Sequence, residues 1–202
     1  MEERISSVTA VLAAALFTFA PAGLRAETPR DTVRSSNQKV LDIYASRENV
    51  DEETERKIYD VIDGVTDFAG ISDSVTSRFC KKLTAGECEE FNEVFTRLLR
   101  LSSIKKLGRY RADGFEYLGE ETDGESAVVR TIALYGEEKI YLDYSLEERE
   151  GSWRIVNYVV DDVDTIRNYR KQFIRLFSRK SFPEVIERLE ERISSYEGEE
   201  GP

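Results

Sequence analysis

The chain has 202 residues, 40% hydrophobic and 34% charged, which suits one globular domain of ordinary size. Forty acidic side chains against 29 basic ones give a net charge of -11, which argues against nucleic acid as a partner and against lasting adsorption to anionic lipid surfaces, since both depend on Lys and Arg. There is no histidine, which removes Ser-His and Cys-His catalysis and the usual zinc sites; with no Gly-rich phosphate loop either, no metal or organic cofactor is expected.

Residues 1–26 read as a secretory leader. Val8 to Ala22 is an apolar run of signal-peptide length, and Ala20-Pro21-Ala22 offers small residues for cleavage after Ala22, with Ala26 as a second cleavage point. A membrane anchor is the rival reading, but the run is short for a bilayer and is interrupted by Pro21 and Gly23. Export to an oxidising compartment would give Cys80 and Cys88 a meaning as an even pair able to form a disulfide. Two small buried thiols are the alternative, and spacing alone does not choose between them.

Residues 27–36 are polar and read as a flexible lead-in, followed by a single domain over 37–197 and a flexible tail over 198–202. A short helix is expected through "NQKVLDIYA". The next starts after Asp51, an N-cap residue, and carries Ile58, Val61, Ile62 and Val65 on one face. Phe68, Ile71, Val75 and Phe79 recur at helical spacing, and so do Phe91, Val94, Phe95, Leu98 and Leu101 after the helix-start pair Thr84 and Glu87. From Gly114 the period changes. Tyr, Val, Ile and Thr dominate, with turns at Thr122-Asp123-Gly124, Gly136-Glu137-Glu138 and Glu150-Gly151-Ser152, so four strands in an antiparallel meander fit. Ile140, Leu142, Tyr144 and Leu146 share one strand face, which must be covered. Two helices close the chain. Asp164 caps the first, with Ile166, Tyr169, Phe173 and Phe177 inward; Ser181 and Glu184 start the second, with Val185, Ile186, Leu189 and Ile193 inward. The fold class is α+β: a curved antiparallel sheet of four to five strands packed by N-terminal and C-terminal helices.

Several of these segments are similar to a known family. "TDFAGISDSVTSRFCKKLTAGECEEFNEVFTRLL" resembles a helix pair of the MlaC (toluene-tolerance) family of periplasmic phospholipid-binding proteins. "GEETDGESAVVRT", "YLDYSL" and "WRIVNYVVDDVDTIRNYRKQF" resemble later signatures of the family, in the same order. The chain departs from the pattern at Ser77 (commonly Gly), Cys80 (Trp), Asn157 (Asp), Asp162 (Gly) and Asp164 (Ser).

The resemblance implies a phospholipid carrier of the periplasm, the soluble component of an Mla-type ABC transport system, with acyl tails held between sheet and helices. Its partners would be an outer-membrane lipoprotein–porin complex and an inner-membrane ABC transporter with a lipid-binding domain. Under that reading the tails would be lined by Phe68, Ile71, Val75, Phe79, Phe95, Leu98, Leu142, Tyr144, Tyr169, Phe173 and Phe177. Arg170 would be a structural ion-pair partner, facing outward with Lys171. The alternatives are a carrier of hopanoid or sterol-type lipid, or a small isomerase or dehydratase on a sheet-and-helix cone using a carboxylate and a tyrosine. Asp143 and Tyr144, being adjacent on a strand, point to opposite faces, which weakens the enzyme reading.

Overall fold

The structure, a computed structural model, describes residues 27–45, 51–109 and 112–198; the expected leader and residues 199–202 of the expected tail lie outside the described residues. In chain order the elements are α1 (Pro29–Ala45), α2 (Glu52–Asp63), α3 (Phe68–Cys80), α4 (Ala85–Arg109), β1 (Gly114–Asp123), β2 (Ser126–Tyr135), β3 (Glu138–Arg149), β4 (Ser152–Val160), β5 (Val163–Asp164), α5 (Thr165–Phe177) and α6 (Phe182–Gly198).

The first departure from expectation is at α1. Residues 29–36, read as a flexible lead-in, form its first two turns, with Thr32, Val33 and Ser36 buried. Thr28 and Asp31 make a reciprocal cap: the Asp31 backbone N–H donates to Thr28 Oγ1 at 3.1 Å and the Thr28 N–H to Asp31 Oδ2 at 3.4 Å. Pro29 occupies the first helical position, where its missing N–H costs nothing. The lead-in reading rested on polarity, but Thr32 and Ser36 are small enough to be buried, and Thr32 returns its hydroxyl to the Thr28 carbonyl.

The other helix starts sit on residues suited to them. Asp51 accepts the Thr54 N–H at 2.8 Å, and Asp164 accepts the Arg167 N–H at 2.6 Å. Thr84 pairs with Glu87, and the Ser181 N–H and hydroxyl both donate to Glu184 at 2.8 Å. Asp67 caps α3 by accepting the Gly70 N–H, and the same carboxylate pairs with Arg149. A Cβ at Gly70 would press on that capping carboxylate, which would have to shift and weaken the cap.

The five strands form one antiparallel meander in the order β1-β2-β3-β4-β5. Its tight turns place Gly124, Gly136 and Gly151 at φ of 59°, 57° and 77°, which glycine adopts without strain. The β4–β5 turn uses Asp161 and Asp162 at φ 45° and 64°, a region that Asp tolerates better than most side chains. Bulges at Leu118 and Val156 add a residue to β1 and β4 and increase the local bend of the sheet.

The helices are tied to the sheet at one corner. The Asp67 N–H donates to the Ile155 carbonyl at 2.9 Å and the Ile155 N–H to the Val65 carbonyl at 2.7 Å. The Arg154 guanidinium donates to the carbonyls of Asp63, Gly64 and Thr66, which satisfies the otherwise orphaned end of α2. Cys80 and Cys88 are joined by a disulfide, with Cα atoms 5.1 Å apart, so the end of α3 is stapled to the start of α4.

The main core lies among the helices. Phe91, Phe95, Ile71, Val75, Val185 and Ile193 are fully buried there. Rings meet edge to face, Phe91 with Phe173 at 4.9 Å, Phe95 with Phe173 at 4.9 Å and Phe95 with Tyr169 at 5.0 Å, while Phe79 stacks on Phe177 at 5.2 Å. Each such pair adds about 0.5–1.5 kcal/mol beyond simple burial. A smaller cluster of Val33, Val129, Leu146 and Ile155 packs at the sheet. No helix among the described residues is long and apolar enough to cross a membrane.

Candidate functional site

Between the sheet and the helices lies a cavity of about 430 Å³. Its floor is the inner face of the sheet: Ala133 from β2, Ile140, Leu142 and Tyr144 from β3, Ile155 and Tyr158 from β4. Strand alternation explains the set, because Ile140, Leu142 and Tyr144 are two residues apart and so share a face, while Tyr141 between them is 56% exposed on the other. The roof is α1 with Val33, Ser36, Asn37 and Val40. Ile62, Val65 and Phe68 close one end from the α2–α3 corner, and Ser102, Ser103, Thr165 and Tyr169 close the other from α4 and α5.

Several polar groups in and beside this lining bond one another. Tyr144 donates its hydroxyl to Asn37 Oδ1 at 3.2 Å, and Asn37 Nδ2 donates to the Tyr117 hydroxyl at 3.2 Å. The Tyr158 and Ser103 hydroxyls meet at 2.8 Å. Burial pushes the Tyr144 phenol far above its ordinary range and the Tyr158 phenol up to about 12, so both are neutral hydroxyls at any physiological pH. Among the described lining residues the only carboxylate is Asp161, which accepts the Tyr141 N–H at 2.9 Å, and there is no basic side chain. Such a surface offers shape and dispersion contact with no strong charge. It suits hydrocarbon.

Asp143 takes no part in this lining. It lies on the opposite sheet face from Tyr144, with Arg130 Nε 3.8 Å from its carboxylate. Among the described residues no cluster of His, Cys, Asp and Glu could hold a metal ion.

The sequence-derived lining divides in two. Phe68, Leu142, Tyr144 and Tyr169 border the cavity. Ile71, Val75, Phe79, Phe95, Phe173 and Phe177 do not; they belong to the helix core. Leu98 is buried in that core and, with Phe173, underlies a separate groove between α5 and α6. The physical reason is that a stripe on α3 or α5 shows which side is buried but not what it meets, and here α3 packs on α4 and α5 while α4 packs on α6. Arg170 also differs from expectation: it reaches back to α3 and donates Nε to the Ser74 carbonyl at 3.0 Å instead of pairing with a carboxylate. The lining residues that sequence reasoning did not anticipate include Val33, Ser36, Asn37 and Val40 of α1 and Ala133, Ile155 and Tyr158 of the sheet; the Thr28-Pro29-Arg30-Asp31 start signal would have revealed the first turns of α1.

The family model for MlaC protein matches residues 34–191. The toluene tolerance protein ttg2D of Pseudomonas putida is 27% identical over 162 residues, covering 76% of this chain and 75% of that one. A phospholipid-binding protein of Ralstonia solanacearum, solved in complex with a phospholipid, superposes with a TM-score of 0.64 at 20% identity, covering 82% of this chain and 96% of that one. The likeness to the Ralstonia protein is one of fold.

Proposed function

Because the chain belongs to the MlaC family, we propose that it is a phospholipid-binding carrier that holds the lipid's acyl tails in the cavity between the sheet and α1. The observation that carries this reading is the apolar cavity itself, roofed by α1 and floored by β2, β3 and β4. A diacyl lipid has roughly 30 tail methylenes, each worth about 0.8 kcal/mol when withdrawn from water. A surface patch cannot shelter them, whereas an enclosed site can. The cavity of about 430 Å³ lies between α1 and the sheet. Polar contacts between them include the bridge from Asn37 to Tyr117 and Tyr144 and the bond from the Arg30 N–H to Glu120.

The proposal extends to location and partners. Residues 1–26 act as an export leader, and the Cys80–Cys88 bridge suits the oxidising periplasm. The carrier moves lipid between outer and inner membranes as part of an Mla-type ABC system. It meets an outer-membrane lipoprotein–porin complex at one end and the inner-membrane transporter with its lipid-binding domain at the other. Moving a tail from cavity to bilayer exchanges one apolar site for another, so direction is set by those partners and not by the carrier. It acts as a holder and not as an enzyme.

The test is native mass spectrometry of protein purified from a bacterial periplasm, followed by lipid extraction. The expected result is a bound glycerophospholipid. Extraction of a hopanoid or sterol would redirect the cargo assignment, and an unliganded protein in a lipid-replete periplasm would contradict the carrier reading.

A further inference from the structure

The groove between α5 and α6, about 1090 Å³, runs against the charge of the rest of the molecule. In a chain of net charge -11, its lining has five cations, Arg175, Arg179, Lys180, Arg188 and Arg192, against the single carboxylate of Glu191. Two of the five are engaged locally. Lys180 pairs with Glu184 at 2.7 Å, and the Arg192 guanidinium lies 4.8 Å above the Tyr196 ring while donating to its hydroxyl at 3.1 Å. Arg175, Arg179 and Arg188 are exposed and have no acidic partner among the described residues.

The groove also joins the cavity. Ser102, Val160, Thr165 and Tyr169 line both, so the Tyr169 ring stands where apolar lining gives way to cationic lining. An amphiphile whose tails lie between the sheet and α1 would emerge at that boundary with its polar end in the groove. An anionic headgroup is repelled by most of this acidic surface, whereas guanidinium groups match phosphate with paired N–H donors.

We propose that the α5–α6 groove is the headgroup site of the bound lipid and that Arg175, Arg179 and Arg188 select net-anionic phosphate headgroups. This rests on the carrier reading above. The test offers delipidated full-length exported protein equal amounts of phosphatidylglycerol and phosphatidylcholine vesicles and weighs the loaded complexes by native mass spectrometry. Wild type should load phosphatidylglycerol over phosphatidylcholine about fivefold or more, on the scale of one partly exposed charge pair. The Arg179→Gln/Arg188→Gln variant should load the two about equally, through a fall in phosphatidylglycerol uptake. Equal loading by wild type, or a preference that survives in the variant, overturns the proposal. A variant that keeps its preference but loses adsorption to phosphatidylglycerol vesicles would overturn it in favour of a bilayer-docking role. Saturable binding of inorganic phosphate alone, as tight in wild type as lipid binding, would make this a free-anion site and also overturn it. Wild type that takes up neither lipid refutes the carrier reading itself.

Discussion

Phe91 and Leu142 are both large apolar side chains on amphipathic elements, but their surroundings differ in kind. Phe91 is fully buried and touches the rings of Phe79, Phe95, Phe173 and Phe177. Leu142 faces a cavity. The helix half brings α3, α4, α5 and α6 together with their stripes facing, and their rings meet edge to face in one buried cluster. The sheet half covers a bent five-stranded floor with α1, whose inner face includes small polar residues such as Ser36 and Asn37. One side is filled by meeting rings and the other encloses a cavity, so on the proposed reading stability and cargo capacity fall to different halves.

Substitutions that separate the two halves test this division. The largest effect is expected at Val75, fully buried in the helix core. Val75→Asp places an unpaired carboxylate among rings, and a loss of several kcal/mol should leave no cooperative thermal transition by circular dichroism. A folded Val75→Asp protein that has lost its lipid would instead make this position a cavity wall.

Removing the staple between α3 and α4 comes next. The Cys80→Ser/Cys88→Ser variant should lose about 2.5 kcal/mol in urea unfolding, from loop entropy, with lipid content unaltered because the bridge lies on the packed side. A fall in lipid at unchanged stability would show that the halves are coupled where they are here held separate.

A smaller effect belongs to the cavity wall and depends on pH. The Tyr158 phenol is raised by burial from 10.0 to about 12. Its contribution is therefore complete below pH 10 and is lost as pH climbs from 10 through 12, because the unfolded chain releases the proton first. Tyr158→Phe should flatten the decline in melting temperature over that range. An unchanged slope would mean that the phenol reaches water when folded.

How far the sequence anticipated this arrangement depends on the kind of signal. Asp51, Asp164, Thr84 with Glu87 and Ser181 with Glu184 mark helix starts by local hydrogen bonding, and all act so. The glycines after Asp123, Tyr135 and Glu150 mark the strand turns. These features need only neighbouring residues. The cavity was legible from the strand side, where alternation put Leu142 and Tyr144 on one face, but only in part from α3 and α5, whose Phe68 and Tyr169 border it while Val75 and Phe173 do not. Periodicity buries Val75 and Phe173 without saying whether they meet helix or sheet. The first two turns of α1 were obscured because Thr32 and Ser36 look solvated in sequence, yet both are buried.

The most direct test of the central claim fills the cavity and leaves the core alone. Ala133 is 2% exposed on β2 and lines the cavity floor. Ala133→Phe adds a ring where there is room for one, so the overpacking cost of ~1–3 kcal/mol seen in dense cores should be largely avoided. Native mass spectrometry of this variant from the periplasm, beside its melting curve, should show a protein that melts close to wild type and carries severalfold less phospholipid. A folded Ala133→Phe protein with its full complement of lipid would place the cargo elsewhere and contradict the account.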